Sequence, residues 1–60
     1  MPDKLLFHHE VAERLRRSPA QLHWMNSRGD GPPHAKIAGR LVYREADVEK
    51  FISDAFEVAS

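Results

Sequence analysis

Arginine and lysine side chains gather in the middle of the chain. Residues 14–44 hold seven of them against a single acid, Asp30, a balance of +6, whereas residues 1–13 and 45–60 carry −2 and −4. Arginine presents a planar fork of N–H donors that fits a phosphate or the major-groove edge of guanine. A basic stretch between acidic ends is typical of a protein that binds a polyanion. The alternative is a solvated surface of interspersed charge.

The sequence indicates no second kind of chemistry. Adjacent histidines diverge on a helix, no two histidines have i, i+4 spacing and cysteine is absent, so we expect no metal and no cofactor. No Ser/His/Asp set, carboxylate pair or glycine-rich phosphate loop stands out, and sixty residues leave little room for both a core and a ligand pocket. We therefore expect the protein not to be an enzyme. The histidines are His8, His9, His23 and His34.

Composition indicates one globular domain. The chain is 42% hydrophobic and 30% charged, and its formal charge is zero at pH 7. No run approaches the roughly 20 apolar residues of a membrane helix. The apolar residues 5–7 are followed at once by His8, His9 and Glu10, which is not a signal-peptide core.

Apolar spacing predicts a first helix from His9 to Arg16. Val11, Ala12 and Leu15 fall on one face of that helix, and Leu5 and Leu6 precede it as an extended lead-in.

A second start signal follows within two or three residues. Ser18 is a typical N-cap, Pro19 suits the first helical position and Gln21 completes a capping box. We expect a second helix from Pro19 to about Ser27 or Arg28 that stops at Gly29. So short a connection makes the two helices cross sharply, as in a helix-turn-helix.

A hairpin and a third helix complete the prediction. Strands at residues 35–37 and 40–44 flank an Ala38-Gly39 turn, with Leu41 and Tyr43 on one side. Acids at residues 45–47 open the third helix, because the helix dipole favours them there. We expect a mainly α fold with a small β-hairpin, a winged helix-turn-helix, as a single domain over residues 1–60 with its core in 5–55. The predicted buried stripe of the third helix is Val48, Phe51, Ile52 and Ala55.

Six segments, in this order and spacing, resemble the excisionase or AlpA-like proteins, small winged helix-turn-helix DNA binders related to the MerR DNA-binding domain. The resemblance covers about residues 5–52. It implies a recognition helix at 19–28 in the major groove and a wing near 38–40 on the backbone or minor groove. The segments are Leu5-Leu6, residues 10–15, Ser18-Pro19-Ala20, Gly29-x-Gly31-Pro32, residues 36–40 and Tyr43-Arg44-x-x-Asp47-Val48.

Three departures from the family pattern stand out. The family often has Thr or Ser, a helix cap, where Phe7 stands, and usually Trp where Met25 stands. The chain is also neutral where many relatives are basic, which favours weak or cooperative binding.

The second helix leaves one open question, the direction of Trp24. If Leu22 and Met25 face the core, a step of about 100° per residue turns Trp24 outward beside Arg28. The alternative is a core Trp24 with Met25 at the rim.

The expected DNA contacts combine base reading with phosphate binding. Arg28 suits guanine or a phosphate, and Gln21 can read adenine unless capping occupies it. His23 suits a base or the backbone, or is a partly exposed neutral histidine, and Arg40 follows Gly39 at the hairpin tip and suits a minor groove. A passive solvent-exposed charge is the alternative for each cation. The predicted set is Arg16, Arg17, Ser18, Ala20, Gln21, His23, Trp24, Ser27, Arg28, Lys36, Arg40 and Arg44.

Two classes of function follow. The first is an excisionase-like factor that binds and bends double-stranded DNA to direct integrase-mediated excision, with a small transcriptional regulator of the same fold as the near alternative. The second is a protein-interaction adaptor that acts through its acidic third helix and the apolar residues Phe56 and Val58. We expect a cytoplasmic protein at the nucleoid of a bacterium or phage host, with an integrase or neighbouring copies on DNA as further partners.

Overall fold

The helices and strands follow the predicted order, with one strand added at the front. The computed structural model describes residues 4–59, and within them the sheet has three antiparallel strands in the order β1-β3-β2. This mainly helical arrangement is a winged helix-turn-helix, as the sequence predicted. The elements are β1 Leu5–Phe7, α1 His8–Arg14, α2 Pro19–Arg28, β2 Ala35–Ile37, β3 Arg40–Arg44 and α3 Glu45–Ala59.

Helix α2 has the boundaries that its capping residues predicted. The Gln21 amide donates to Ser18 Oγ at 3.1 Å, and the Ser18 amide donates back to Gln21 Oε1 at 3.2 Å. At the other end Gly29 has φ +80°, and the next amide, of Asp30, donates to the Met25 carbonyl at 2.9 Å. A left-handed residue of this kind ends a helix, and glycine adopts it at little cost.

Helix α1 is shorter than predicted and begins one residue earlier, so the expected end at Arg16 is wrong. Arg16 instead lies in the left-handed region with φ +60°. Its amide and that of Arg17 donate to the Glu13 and Ala12 carbonyls at 3.0 and 2.9 Å, which closes the last turn. The two arginines therefore belong to the turn of the helix-turn-helix.

Phe7 precedes α1 and supplies no capping side chain, as the sequence predicted. The Glu10 carboxylate accepts from the Phe7 amide at 2.8 Å and takes over part of that function.

The extended lead-in is a true strand, which the sequence prediction did not pair with anything. Leu5, Leu6 and Phe7 face Arg44, Tyr43 and Val42 of β3. The predicted hairpin is confirmed on the other side of β3. Its turn residues, Ala38 and Gly39, have φ +51° and +80°, the signs of a type I′ turn.

The core lies between the sheet and the three helices. Among the described residues its fully buried members are Leu6, Val11, Ala12, Leu22, Tyr43 and Val48, with Leu15, Leu41 and Ile52 packed against them.

The predicted buried stripe of α3 is wrong at its end. Val48 is buried and Phe51 and Ile52 are half-buried, but Ala55 is exposed. The helix therefore extends past the core, which reaches only as far as Ile52 along it. Periodicity cannot reveal where the supporting elements stop.

Candidate nucleic-acid interface

Helix α2 buries one side and presents the other to solvent. Leu22 has no exposed surface and Met25 is partly buried, whereas 58% of Trp24 is exposed. The structure thus agrees with the outward direction of Trp24 that the helix phase predicted. The outward side of α2 carries Ala20, Gln21, His23, Trp24, Ser27 and Arg28, all of them exposed.

Trp24 and Arg28 form a pair at the C-terminal end of that side. The Arg28 guanidinium carbon lies 4.6 Å from the centre of the Trp24 indole, a cation–π arrangement. Arg28 Nε also lies 3.3 Å from Asp30 Oδ2, beyond the helix end. The indole and the carboxylate together orient the guanidinium.

The polar side chains of α2 are partly committed to the helix itself. Gln21 Oε1 accepts from the Ser18 amide, so capping occupies one of the two groups that a bidentate contact to adenine needs. Ser27 Oγ donates to the His23 carbonyl at 3.2 Å. These bonds occupy Gln21 Oε1 and Ser27 Oγ.

The seven cations of the basic stretch divide into two groups. Three are in ion pairs, Arg14 with Glu45 at 2.9 Å, Arg28 with Asp30, and Arg44 with Asp47 at 2.7 Å. Within the part of the chain that the structure describes, the other four form no ion pair and all are exposed. They are Arg16 and Arg17 before α2 and Lys36 and Arg40 on the wing.

Arg40 packs over the ring of Phe7, with its guanidinium carbon 4.2 Å from the ring centre. Phe7 therefore supports the wing cation across the sheet in addition to preceding α1.

A partly buried series of hydrogen bonds that sequence reasoning missed ties α2 to the sheet and to α1. Asn26 Nδ2 donates to the Tyr43 hydroxyl at 2.6 Å, and that hydroxyl lies 2.9 Å from His8 Nδ1. His8 Nε2 lies 2.8 Å from the Pro19 carbonyl. Because a carbonyl only accepts, the Nε2–H group of His8 donates to Pro19. These hydrogen bonds fix the start and the third turn of α2 relative to the rest of the fold.

The loop after α2 packs closely on the same asparagine. A Cβ placed on Gly31 would overlap Asn26 Oδ1, and that oxygen is buried without a hydrogen-bond partner. Pro32, next in sequence, is fully buried. Gly31 is therefore required for close approach. The signal in the sequence was a polar residue one position after Met25, on the buried side of α2.

Burial raises the pKa of the Tyr43 phenol above its ordinary value, and the hydrogen bond from Asn26 opposes that shift in part. Burial therefore favours the neutral form of the Tyr43 phenol.

The chain belongs to the helix-turn-helix domain family, whose family model matches residues 9–55. This is the family of the small excisionase and AlpA-like helix-turn-helix proteins. A domain of this family implies DNA binding, and its members are typically not enzymes. No curated protein and no solved structure matches the chain.

Two further findings concern the described residues 4–59. None of their helices combines the length and the apolar character needed to cross a membrane. Their histidines and acids form no group of three or more that could hold a metal ion.

Proposed function

We propose that the protein is an excisionase-like architectural factor that binds and bends double-stranded DNA. The observation that carries the proposal is the exposed Trp24–Arg28 pair on the outward side of the second helix of a helix-turn-helix. That helix is the one that enters the major groove in this motif. An exposed tryptophan with a cation packed on it is more typical of a surface that binds a ligand than of one that only faces solvent.

Phosphate binding by the four unpaired cations accompanies base reading. Arg16 and Arg17 lie in the turn before α2, and Lys36 and Arg40 lie on the wing. These elements precede and follow the recognition helix in the sequence. We expect their cations to contact DNA phosphates on either side of one groove. Arg44, in an ion pair with Asp47, contributes less. Ser18, Ala20, Gln21, His23 and Ser27 complete the proposed interface.

The salt dependence of binding tests this interface. Each phosphate that a protein neutralises contributes about −0.9 to the slope of log K against log salt, so four cations give a slope of about −4. The measurement is fluorescence anisotropy with labelled duplexes selected from a random pool. A slope near zero contradicts backbone binding.

Bending separates the architectural function from simple occupancy. Energy transfer between dyes at the two ends of a selected duplex should rise when the protein binds. A bound duplex that stays straight favours the alternative, a small transcriptional regulator of the same fold. A neighbouring integrase gene with an attachment site favours excision and would place an integrase among the partners, with the nucleoid of a bacterium or phage host as the place of action. The relationship to the MerR DNA-binding domain stays a prediction.

The end of α3 favours a second activity, contact between copies on DNA. Phe56 is 74% exposed, and α3 carries five acids against one lysine. On the outer side of the sheet, Leu5 and Ile37 are each 52% exposed and line a groove of about 300 Å³ with Val42. The exposed Phe56 of one copy thus complements the apolar outer side of the sheet of the next.

Duplexes with one site and with two adjacent sites test this contact. Phe56→Ser should lower the cooperativity of binding to two sites and leave the affinity for one site unchanged. Ala55→Ser, at the adjacent exposed position, is the matched control. Equal cooperativity in both variants contradicts the contact. Binding of α3 to a different protein, with no effect on DNA, would support the adaptor hypothesis.

A further inference from the structure

The geometry of the Trp24–Arg28 pair restricts which ligand groups the Arg28 guanidinium can contact. The indole covers one side of the Arg28 guanidinium at 4.6 Å, and the Asp30 carboxylate lies beside its Nε edge at 3.3 Å. The edge formed by the two terminal Nη groups is opposite Nε. The guanidinium therefore keeps one edge and one planar side for a ligand.

The remaining edge suits guanine. Two terminal N–H groups of an arginine match O6 and N7 of guanine in the major groove, and no other base presents two acceptors there. Since Asp30 occupies the Nε side, the fork formed by the two Nη groups is the one that remains for this contact.

The remaining planar side suits a methyl group. A guanidinium that forks onto guanine lies close to the plane of that base, so its two sides face the neighbouring steps of the duplex. The right-handed twist of DNA brings C5 of the pyrimidine on the 5′ side next to the N7 edge of the guanine. A methyl group at C5 would contact the open side of the weakly hydrated guanidinium plane, which an apolar group covers better than water does.

We propose that Trp24 and Arg28 together recognise a thymine–guanine step, with Arg28 on the guanine, the thymine methyl group on the open side of the guanidinium and Trp24 supporting its other side. This inference rests on the proposed DNA-binding function and specifies its target. A thymine–guanine step is also one of the flexible pyrimidine–purine steps at which DNA kinks readily. Recognition of the step and bending of the duplex would then share one position.

Base analogues test the proposal on a duplex selected from a random pool. Replacing the thymine of the step by deoxyuridine removes only the methyl group, and we expect about a fourfold loss of affinity, as for one buried methyl group. Replacing it by cytosine should cause a similar or larger loss, and 5-methylcytosine should bind more tightly than cytosine.

Protein variants assign the effect to the pair. Trp24→Ala should discriminate less between the thymine and deoxyuridine duplexes, because the guanidinium loses the indole that supports it, whereas Glu13→Gln, exposed on α1 and outside the proposed interface, should keep the preference. Equal affinity of the unaltered protein for the two duplexes overturns the inference, as does a preference unchanged in Trp24→Ala or a selected site without the step. Each of these results leaves DNA binding itself intact. Failure to bind any duplex overturns the proposed function and this inference together.

Discussion

The side-chain amide of Asn26, in α2, donates a hydrogen bond of 2.6 Å to the hydroxyl of Tyr43 in the central strand. This contact joins the proposed recognition helix to the sheet that carries the wing. The other side of the Asn26 amide lies against Gly31 without a hydrogen bond. The orientation of α2 thus depends on how closely its neighbours fit around the partly buried side chain of Asn26.

Gly31→Ala should lower the free energy of unfolding by about 1–3 kcal/mol, because the added methyl group would overlap Asn26 Oδ1. Urea unfolding followed by circular dichroism measures the change. In an Asn26→Ala background the same substitution should cost much less, since its obstacle is gone. Additive effects of the two substitutions would contradict the steric account.

Stability should fall as the pH rises above about 10, the ordinary pKa of tyrosine. The folded pKa of Tyr43 is raised, so between the two values the unfolded chain releases a proton that the folded chain keeps. The stabilisation is therefore complete below pH 10 and is lost as the pH climbs towards the folded pKa. Tyr43 is the single tyrosine, so its absorbance reports the titration directly.

The control for this alkaline effect is Tyr43→Phe. It should be less stable near neutral pH by about 1–3 kcal/mol, because Asn26 and His8 lose a partner. Its stability should lack the tyrosine contribution to the decline above pH 10. A decline of the same steepness in both proteins would show that other groups cause it.

Arg16→Gly should stabilise the fold and weaken DNA binding at once. The left-handed φ of +60° is strained for arginine and costs about 1–2 kcal/mol, of which the greater flexibility of unfolded glycine offsets a part. Loss of one phosphate contact should make the salt slope shallower by about 0.9. The matched variant is Arg17→Gly, where φ is not positive, and it should change the slope alike without a gain in stability.

Arg28→Ala should weaken specific binding by about 1–3 kcal/mol and reduce the preference for the selected site over a scrambled one. Arg40→Ala should weaken both duplexes about equally, since a wing cation on the backbone carries no sequence information. Competition anisotropy with the two duplexes measures the ratio. A ratio unchanged by Arg28→Ala would remove the base-reading function from that residue.

Trp24→Ala should change stability by no more than about 1 kcal/mol, as surface substitutions usually do, while it impairs DNA binding. Trp24 is the single tryptophan and is exposed, so its fluorescence should be red-shifted, open to quenchers and altered by DNA. Emission that is blue-shifted and protected from quenchers would contradict the exposed position, as would unfolding of the variant.

Local signals accounted for the parts of the fold that the sequence predicted. The Ser18 cap, the Gly29 stop and the turn at Ala38 each act within a few residues, whereas helix phase left the direction of Trp24 open and the structure places it outward. The pairing of Leu5 with Arg44 joins distant parts of the chain and left no local pattern.

The site was harder to predict than the fold. Its charged and outward residues follow from composition and phase, but the contacts among them do not. Arg44 pairs with Asp47 where β3 meets α3, and Arg40 packs on Phe7 across the sheet, and both contacts depend on side-chain directions that composition and phase do not give. The Asn26–Tyr43–His8 chain needs three elements in place before any of its bonds can form.

The position of β3 between β1 and β2 has a consequence for folding kinetics. Contacts between α1 and α2 are close in sequence and can form early, whereas the β1–β3 ladder pairs residues 35 to 39 positions apart, more than half the length of the chain. During synthesis the helical pair can therefore emerge and associate before the central strand exists. The slow step would then be the docking of the β2–β3 hairpin on β1.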